Sequence, residues 1–263
     1  MGEISLGVLG STPAELLRRL APELQAAGFR GLWLNAIPGS DPLPALAEVA
    51  EITSTLRLCV GVLPLDSRPI EVILSDLAAL HLPRERVVVG VGAGGGRSLA
   101  RVAEAVEALR SAGFGTAVGG LGPRMRSLGA RSADSLLLNW LTPALAAEAR
   151  AEAATAAAAE GRAPGRVALY IRTVMDPDAL PLLQAEAGRY AAIPSYAANF
   201  ARHAISPIDT TIADTGTGIA NRLDLYLKSV DEVVLRAVTP HSSLEDYLRF
   251  VRHPDVVARL QAE

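Results

Sequence analysis

The sequence predicts a (β/α)8 barrel that forms a single domain over residues 1–263. Three observations lead to this prediction. Short β-rich runs alternate with segments of helical period from one end of the chain to the other, the composition hardly changes, and no stretch is typical of a linker. The alternation gives eight strand-then-helix units in about 250 residues, which is the usual count and length of such a barrel. A doubly wound open sheet is the competing fold.

Each predicted element follows from its local pattern. The predicted strands are residues 4–9, 31–35, 56–62, 86–92, 116–121, 135–140, 166–173 and 232–238. Helices are predicted over residues 12–27, 42–54, 69–80, 98–112, 123–132, 143–160 and 243–252, with a mixed stretch over 178–230. Five of these helices begin at or beside a proline, because the first helical turn does not need the N–H that proline lacks.

The alternation within the strands indicates which side chains face the lumen. Bulky β-branched residues should face the helices, which leaves a smaller set on the inner face. In the third and fourth strands this inner set is Cys59, Gly61, Leu63, Val88, Gly90 and Gly92. Glycine near the carboxyl ends of several strands predicts a groove at the barrel mouth, where a flat ligand lies against the backbone.

Composition and charge exclude several classes of function. The net charge is −3, and no cluster of basic and aromatic residues suggests a nucleic-acid surface. The amino terminus lacks a signal-peptide pattern and no stretch reaches about 20 apolar residues, so we expect a cytoplasmic protein. The histidines lack the spacing of metal ligands, and no metal is predicted. Cys59 is interpreted as a buried strand residue, so any redox chemistry requires a bound cofactor.

The glycine-rich stretch VVVGVGAGGG contains the spacing G-x-G-x-x-G at Gly90, Gly92 and Gly95. This spacing is typical of a dinucleotide fold, in which it lies in the first βαβ unit and precedes an acidic residue by about 20 positions. Here it lies on the fourth predicted strand, and residues 113–124 contain no Asp or Glu. The sequence therefore disfavours an NAD site.

A second glycine cluster is the better candidate for a phosphate site. Gly119, Gly120 and Gly122 end the fifth strand, Pro123 opens a helix, and Arg124 adds a positive charge. The free N–H groups of a helix N-terminus favour an anion. Further backbone donors are expected from the neighbouring turn, Ala93 to Gly96, and Gly92 and Gly94 are predicted to contact the cofactor. An aspartate at position 120 is expected to abolish cofactor binding while leaving the barrel folded.

The chain resembles the bacterial luciferase-like superfamily, specifically its branch dependent on the deazaflavin coenzyme F420. The resemblance rests on an ordered set of motifs from about Leu6 to Val238, namely AAGFRGLWLN, VGVLPL, VVVGVGAG, GGLGPRM, GARSADSLLLNWLTP and YAANFAR. It implies a barrel that is often dimeric, with the cofactor ring in the mouth and hydride transfer to or from an organic substrate. It also implies a bulge or cis peptide against the ring at Gly61, Val62 and Leu63.

The sequence departs from this family at a position that matters for catalysis. Many deazaflavin enzymes of the superfamily carry an Asp-His pair after the second strand, where this chain has Ala36-Ile37. Asn35 is the remaining polar candidate, able to hydrogen-bond a ring but a poor proton donor. We therefore predict catalytic roles for Asn35 and for Arg172, which faces inward on the seventh strand.

Three polar residues, including Arg172, have two interpretations each. Arg172 either contacts cofactor or substrate or forms an internal ion pair, because an unpaired buried charge is costly. Asn139, at the end of the sixth strand, either lies in the mouth and contacts the cofactor or serves a turn. Tyr196 either touches substrate or belongs to a packing or dimer face.

The function predicted from the sequence is hydride transfer between F420 and a small organic substrate, by a homodimer without nucleic-acid or membrane partners. Two alternatives remain open. One is an FMN-dependent monooxygenase of the same superfamily, and the other is a cofactor-free barrel that acts as a binding or dimerisation module.

Overall fold

The computed structural model describes residues 2–96, 98–213 and 219–261, and eight parallel strands within these ranges close into a barrel. The strands are β1 Glu3–Leu9, β2 Gly31–Asn35, β3 Arg57–Pro64, β4 Val87–Gly92, β5 Gly115–Gly119, β6 Ser135–Asn139, β7 Arg166–Val174, β8 Ile212–Ala213 and β9 Glu232–Ala237. Neighbouring strands pair in sequence order from β1 to β7; β9 then pairs with both β7 and β1 and closes the barrel. The two-residue β8 pairs only with the end of β7.

The helices surround this barrel in the order that the sequence predicts. They are α1 Ala14–Ala27, α2 Leu43–Ile52, α3 Ile70–Ala79, α4 Leu99–Ser111, α5 Pro123–Ser132, α6 Pro143–Ala159, α7 Leu180–Ala191, α8 Pro194–His203, α9 Ala220–Ser229, α10 Leu244–Val251 and α11 Pro254–Leu260. The mixed stretch over 178–230 thus contains α7, α8, β8 and α9. Among the described residues, no helix combines the length and apolar character that crossing a membrane requires.

Two layers of apolar side chains confirm the predicted strand faces. The outer layer lies between strands and helices and includes the β-branched residues of β4, namely Val87, Val89 and Val91. The inner layer fills the lumen and consists of Trp33, Cys59, Ala117, Leu137, Ala168, Tyr170 and Val234. Cys59 is buried there, as its place in the strand predicts.

One part of the strand prediction is wrong, at the end of β3. The peptide bond between Gly61 and Val62 is cis, and the pairing of β3 with β4 shifts register between Val60 and Leu63. The irregularity that the family resemblance implies is therefore present. Because the alternation shifts there, Val62 turns toward the lumen, whereas Leu63 is 2% exposed and packs in the outer layer.

A polar network closes the amino-terminal end of the lumen. The buried Glu232 carboxylate accepts hydrogen bonds from Ser5 Oγ at 2.6 Å and Trp33 Nε1 at 2.8 Å, and it pairs with Arg57 at 3.1 Å. Each buried polar atom of Glu232 thus has a partner, as a stable interior requires. The lumen is filled at this end, which leaves the carboxyl ends of the strands as the place for a ligand.

Candidate functional site

A cavity of about 190 Å³ lies at the carboxyl ends of the barrel strands. Six of the residues that the sequence predicts for the site line it, namely Asn35, Gly61, Val62, Gly119, Gly120 and Asn139. The other lining residues are Ala36, Leu121, Leu137, Leu138, Tyr170, Tyr190 and Tyr196. An apolar cavity of about 150 Å³ holds a benzene molecule, whereas whole drug-sized ligands occupy about 300–1,000 Å³. The cavity therefore encloses one six-membered ring, and a larger ligand would extend beyond it.

The side chain of Val62 occupies the space that two glycines leave open. A Cβ atom at Gly92 would lie 2.9 Å from Val62 Cγ2, and one at Gly119 would lie 3.0 Å from Val62 Cγ1. Both distances are shorter than ordinary van der Waals contact. Gly92 and Gly119 are thus required by the bulge in β3, and Val62 rather than bare backbone forms this wall of the cavity.

The turn AGGG after β4 is closed by a carboxylate of the protein itself. The Gly95 N–H donates a hydrogen bond of 2.6 Å to Asp66 Oδ2, and Gly94 has a φ of +61° that brings it against the same carboxylate. A phosphate at this turn would meet both an occupied donor and a like charge. This geometry argues against the predicted contribution of Gly94 and its turn to phosphate binding.

The N-terminus of α5, in contrast, is open. Gly122 is its N-cap residue, no side chain caps it, and a Cβ atom at Gly122 would meet nothing within 4 Å. The corresponding end of α4 is capped by the Ser98 side chain, which accepts a hydrogen bond from the Arg101 N–H. Arg124 lies exposed in the first turn of α5. The N–H groups of this turn are available to an anion, and Gly119, Gly120 and Leu121 connect them to the cavity.

Gly120 does not provide the free backbone donor that was expected for a phosphate. Its N–H donates to the Leu137 carbonyl at 3.0 Å, so this donor is not free for a phosphate. A Cβ atom there would lie 2.7 Å from Leu136 Cδ1 and 3.2 Å from Arg126 Cα. This packing argues against the expectation that an aspartate at position 120 leaves the barrel folded, because the side chain would enter the packed layer between β6 and α5.

Arg172 forms the internal ion pair that the sequence left as one of its two interpretations. It is 1% exposed, its Nε donates to Glu186 Oε1 at 2.8 Å, and its Nη1 donates to Asn139 Oδ1. Burial opposes ionisation of Glu186, but the charges of Arg236 and Arg172 outweigh it and hold the pKa of that carboxyl below its ordinary value. Arg172 therefore lies behind the cavity wall and reaches the cavity through Asn139.

Aromatic side chains from the loop after β6 and from α7 and α8 cover this wall. The Arg172 guanidinium lies 4.0 Å from the ring centroid of Trp140 and 4.8 Å from that of Tyr190. Tyr190 in turn packs edge-to-face on Tyr196 with 4.8 Å between centroids. Such cation–π and aromatic pairs favour one fixed arrangement of these rings.

The ionisable groups that line the cavity are three tyrosines. Tyr170 lies deepest, 3% exposed, and burial raises the pKa of its hydroxyl well above the ordinary value. Burial also raises the pKa of Tyr196, opposed by Arg172 and by a hydrogen bond with Asn139. Tyrosines in this state remain protonated near neutral pH and act as donors.

Sequence reasoning missed part of the cavity. Tyr190 was not predicted, because it comes from α7 in the long stretch where the pattern gave no clear element. Tyr196 does line the cavity, as one of its two interpretations held. The signal that would have found Tyr190 is its spacing of six residues from Tyr196 across the break between two helices.

A closed parallel barrel with a cavity at the carboxyl ends of its strands defines this chain as a (β/α)8 barrel of the kind that binds its ligand at that face. The sequence model of the family described as luciferase-like monooxygenase matches residues 3–112. A comparison with curated proteins gives no match. This match covers less than half of the chain and agrees with the resemblance to the luciferase-like superfamily.

Solved structures with a similar fold match almost the whole chain. The F420-dependent tetrahydromethanopterin reductase of Methanopyrus kandleri is 16% identical, with a TM-score of 0.69 over 98% of this chain and 100% of that one. An F420-dependent secondary alcohol dehydrogenase, solved with an F420-acetone adduct, is 13% identical, with a TM-score of 0.73 over 97% of this chain and 99% of the dehydrogenase chain. The FMN complex of the oxygenating constituent of 3,6-diketocamphane monooxygenase from Pseudomonas putida is 12% identical, with a TM-score of 0.68 over 98% and 97%.

At these identities the similarity shows the fold alone. The neighbours include F420-dependent reductases and flavin-dependent monooxygenases, so they do not distinguish between the two cofactors.

Proposed function

We propose that this chain is an oxidoreductase that transfers a hydride between coenzyme F420 and a small organic substrate. The observation that carries the proposal is that the open N-terminus of α5 directly follows, along the chain, the cavity-lining residues Gly119, Gly120 and Leu121. The wall at Gly61 and Val62 suits the face of a flat ring, and the first turn of α5 suits a phosphate. A ring joined to a phosphate is the chemistry that a deazaflavin or a flavin nucleotide presents.

The residues present fit such a group in charge as well as shape. Arg124 adds a positive charge beside the free N–H groups of α5, and none of the described residues that line the cavity is Asp or Glu. The enclosed volume of about 190 Å³ surrounds only part of a three-ring system, so the phosphate-bearing chain would lie outside, over α5.

In this proposal the protein contributes mainly position and hydrogen bonds. When bound, F420 supplies a carbon centre that accepts or donates a hydride. Val62 supports one face of the ring, the N–H groups at the start of α5 hold the phosphate, and Asn35 and Asn139 offer amide groups to polar edges within the cavity. Leu137, which belongs to the inner layer, excludes water from the same space.

F420 is preferred to FMN because the ordered motifs resemble the deazaflavin branch, in particular GGLGPRM, which forms the open end of α5. We also propose that the chain forms a homodimer, as that resemblance implies, and that it is located in the cytoplasm.

The test is a fluorescence titration of the pure protein with F420, FMN and NAD. Saturable binding of F420, tighter than that of FMN, supports the proposal. Binding of FMN alone, with rapid protein-dependent oxygen uptake when the FMN is reduced, would assign the monooxygenase chemistry instead. Binding of none of the three would favour a cofactor-free module, and binding of NAD alone would revive the dinucleotide interpretation.

A further inference from the structure

The orientation of the Asn139 side chain is determined by its neighbour. A guanidinium has only donors, so the atom of Asn139 that accepts from Arg172 Nη1 must be the carbonyl oxygen. The amide nitrogen is consequently directed away from Arg172. Because Asn139 lines the cavity and Arg172 does not, the nitrogen is the atom that remains for contacts on the cavity side.

Tyr196 is the second donor at this cavity. It lines the same cavity as Asn139, and its ring packs edge-to-face on Tyr190 with 4.8 Å between centroids. A tyrosine hydroxyl can donate a hydrogen bond, so Tyr196 offers the cavity an O–H in addition to the Asn139 amide nitrogen.

The charged groups behind the cavity wall have a net positive charge, which favours the same kind of ligand atom as the hydrogen-bond donors do. Arg172 and Arg236 are paired in register on adjacent strands, and both contact a single carboxylate, Glu186, at 2.8 and 3.5 Å. Within the described ranges, no second carboxylate lies within 4.0 Å of either guanidinium. Arg172 Nη2 and Arg236 Nε are buried and without a hydrogen-bond partner there. This local excess of positive charge favours a partially or fully negative atom in the cavity.

We propose that Asn139 and Tyr196 form a donor subsite for an oxygen acceptor, a carbonyl or carboxylate oxygen on a planar one-ring group, with Arg172 as the residue that positions the Asn139 amide. The subsite rests on the proposed function in one respect, that the same cavity is used. The acceptor oxygen belongs either to the substrate or to a carbonyl of the cofactor ring, and the experiment below distinguishes these sources.

The experiment measures binding of three one-ring probes to the protein without cofactor, by saturation-transfer NMR titration. Acetophenone presents a neutral acceptor, benzoate an anionic acceptor, and benzamidine donors only. Wild-type protein is expected to bind acetophenone and benzoate at least about tenfold more tightly than benzamidine, because a hydrogen bond to the wrong partner leaves a buried group unpaired.

Asn139→Asp reverses the polarity of the subsite while keeping its shape. The new carboxylate keeps one oxygen paired with Arg172, and its second oxygen replaces the amide nitrogen. The affinity for acetophenone is therefore expected to fall at least about tenfold, and the affinity for benzamidine to rise. Tyr196→Phe should weaken both acceptor probes and leave benzamidine unchanged. Asn221→Asp, the same change at an exposed position of α9, is the matched control and should alter none of the three.

The positioning role of Arg172 has its own test. Arg172→Met allows the Asn139 amide to rotate by half a turn, so the affinities for acetophenone and benzoate should approach the affinity for benzamidine. Arg172→Lys keeps a donor to the Asn139 oxygen and should retain part of the difference. A merely structural role would weaken all probes alike. Melting temperatures establish that each variant is folded.

Repeating the acetophenone titration with saturating F420 identifies the source of the oxygen. Unchanged affinity assigns it to the substrate, and competition assigns it to the ring. The proposal is overturned if Asn139→Asp, folded by its melting temperature, leaves the acetophenone and benzamidine affinities within twofold of wild type. That result requires no bound cofactor, so it is independent of whether F420 binds.

Discussion

The carboxylate of Asp66 accepts a hydrogen bond of 2.6 Å from the backbone N–H of Gly95. The two residues are 29 positions apart and belong to different loops at the mouth of the barrel. Their contact closes the turn that carries the dinucleotide-like glycine spacing. The glycines there serve an internal contact, and the proposed anion site is at the next loop, at the start of α5.

The first prediction concerns this contact. Asp66→Ala removes the hydrogen bond and should lower the free energy of unfolding by about 1 kcal/mol. Asp66→Asn keeps an acceptor oxygen and should cost less. Both variants should bind F420 within about twofold of wild type in a fluorescence titration. A marked gain in affinity on removing the negative charge would mean that the cofactor phosphate approaches this turn.

The second prediction locates the phosphate at α5. Gly122→Asp places a carboxylate at an N-cap where the structure leaves open space, so the fold should be unharmed or slightly stabilised. Two like charges about 4 Å apart repel by roughly 4 kcal/mol at an effective dielectric near 20, and a third of that weakens binding about tenfold.

Gly122→Asn is the matched control, since asparagine caps equally well without the charge. Affinity for F420 should fall at least about tenfold for the aspartate variant and change little for the asparagine variant. Equal affinities in the two folded variants would place the phosphate elsewhere.

The third prediction compares one substitution at two glycines. A Cβ atom at Gly90 would lie 2.5 Å from the Val60 carbonyl oxygen, so Gly90→Ala forces the backbone of β3 and β4 apart. We expect a loss of about 1–3 kcal/mol in the free energy of unfolding. Gly188→Ala, in α7 where a Cβ atom meets nothing within 4 Å, should gain about 0.5–1 kcal/mol. Denaturant titration measures both, and changes of the same sign would contradict the packing described for β4.

The fourth prediction is a pH dependence of stability. The pKa of Glu186 is held below its ordinary value, so its charge stabilises the fold above the unfolded pKa of about 4.3, and this contribution is lost as the pH falls through the folded pKa. Glu186→Gln breaks a buried pair and should cost about 3 kcal/mol at pH 7. The difference in free energy of unfolding between wild type and Glu186→Gln, measured by denaturant titration, should become smaller below about pH 4.

Glu104→Gln, at an exposed position of α4, is the control for the loss of one charge and should have little effect at either pH. A difference between wild type and Glu186→Gln that stays constant from pH 7 to pH 3 would show that packing rather than charge is lost in the variant.

The sequence by itself determined the barrel and much of its mouth. Apolar alternation predicted all eight barrel strands, because each strand must present one face to the helices and one to the lumen. It also predicted that Gly61, Gly119 and Asn139 meet at one end, since parallel strands end on the same side. The ordered motifs indicated the superfamily.

Only the tertiary structure decided which neighbours each site residue meets. Val62 lies at the cavity in place of Leu63 because of the bulge in β3. A strict alternation of side chains along the strand does not predict this bulge. Whether an N–H is free depends on partners far along the chain, as for Gly95 with Asp66 and Gly120 with Leu137. These contacts join loops and helices that no local pattern connects, so their geometry is set by packing rather than by sequence period.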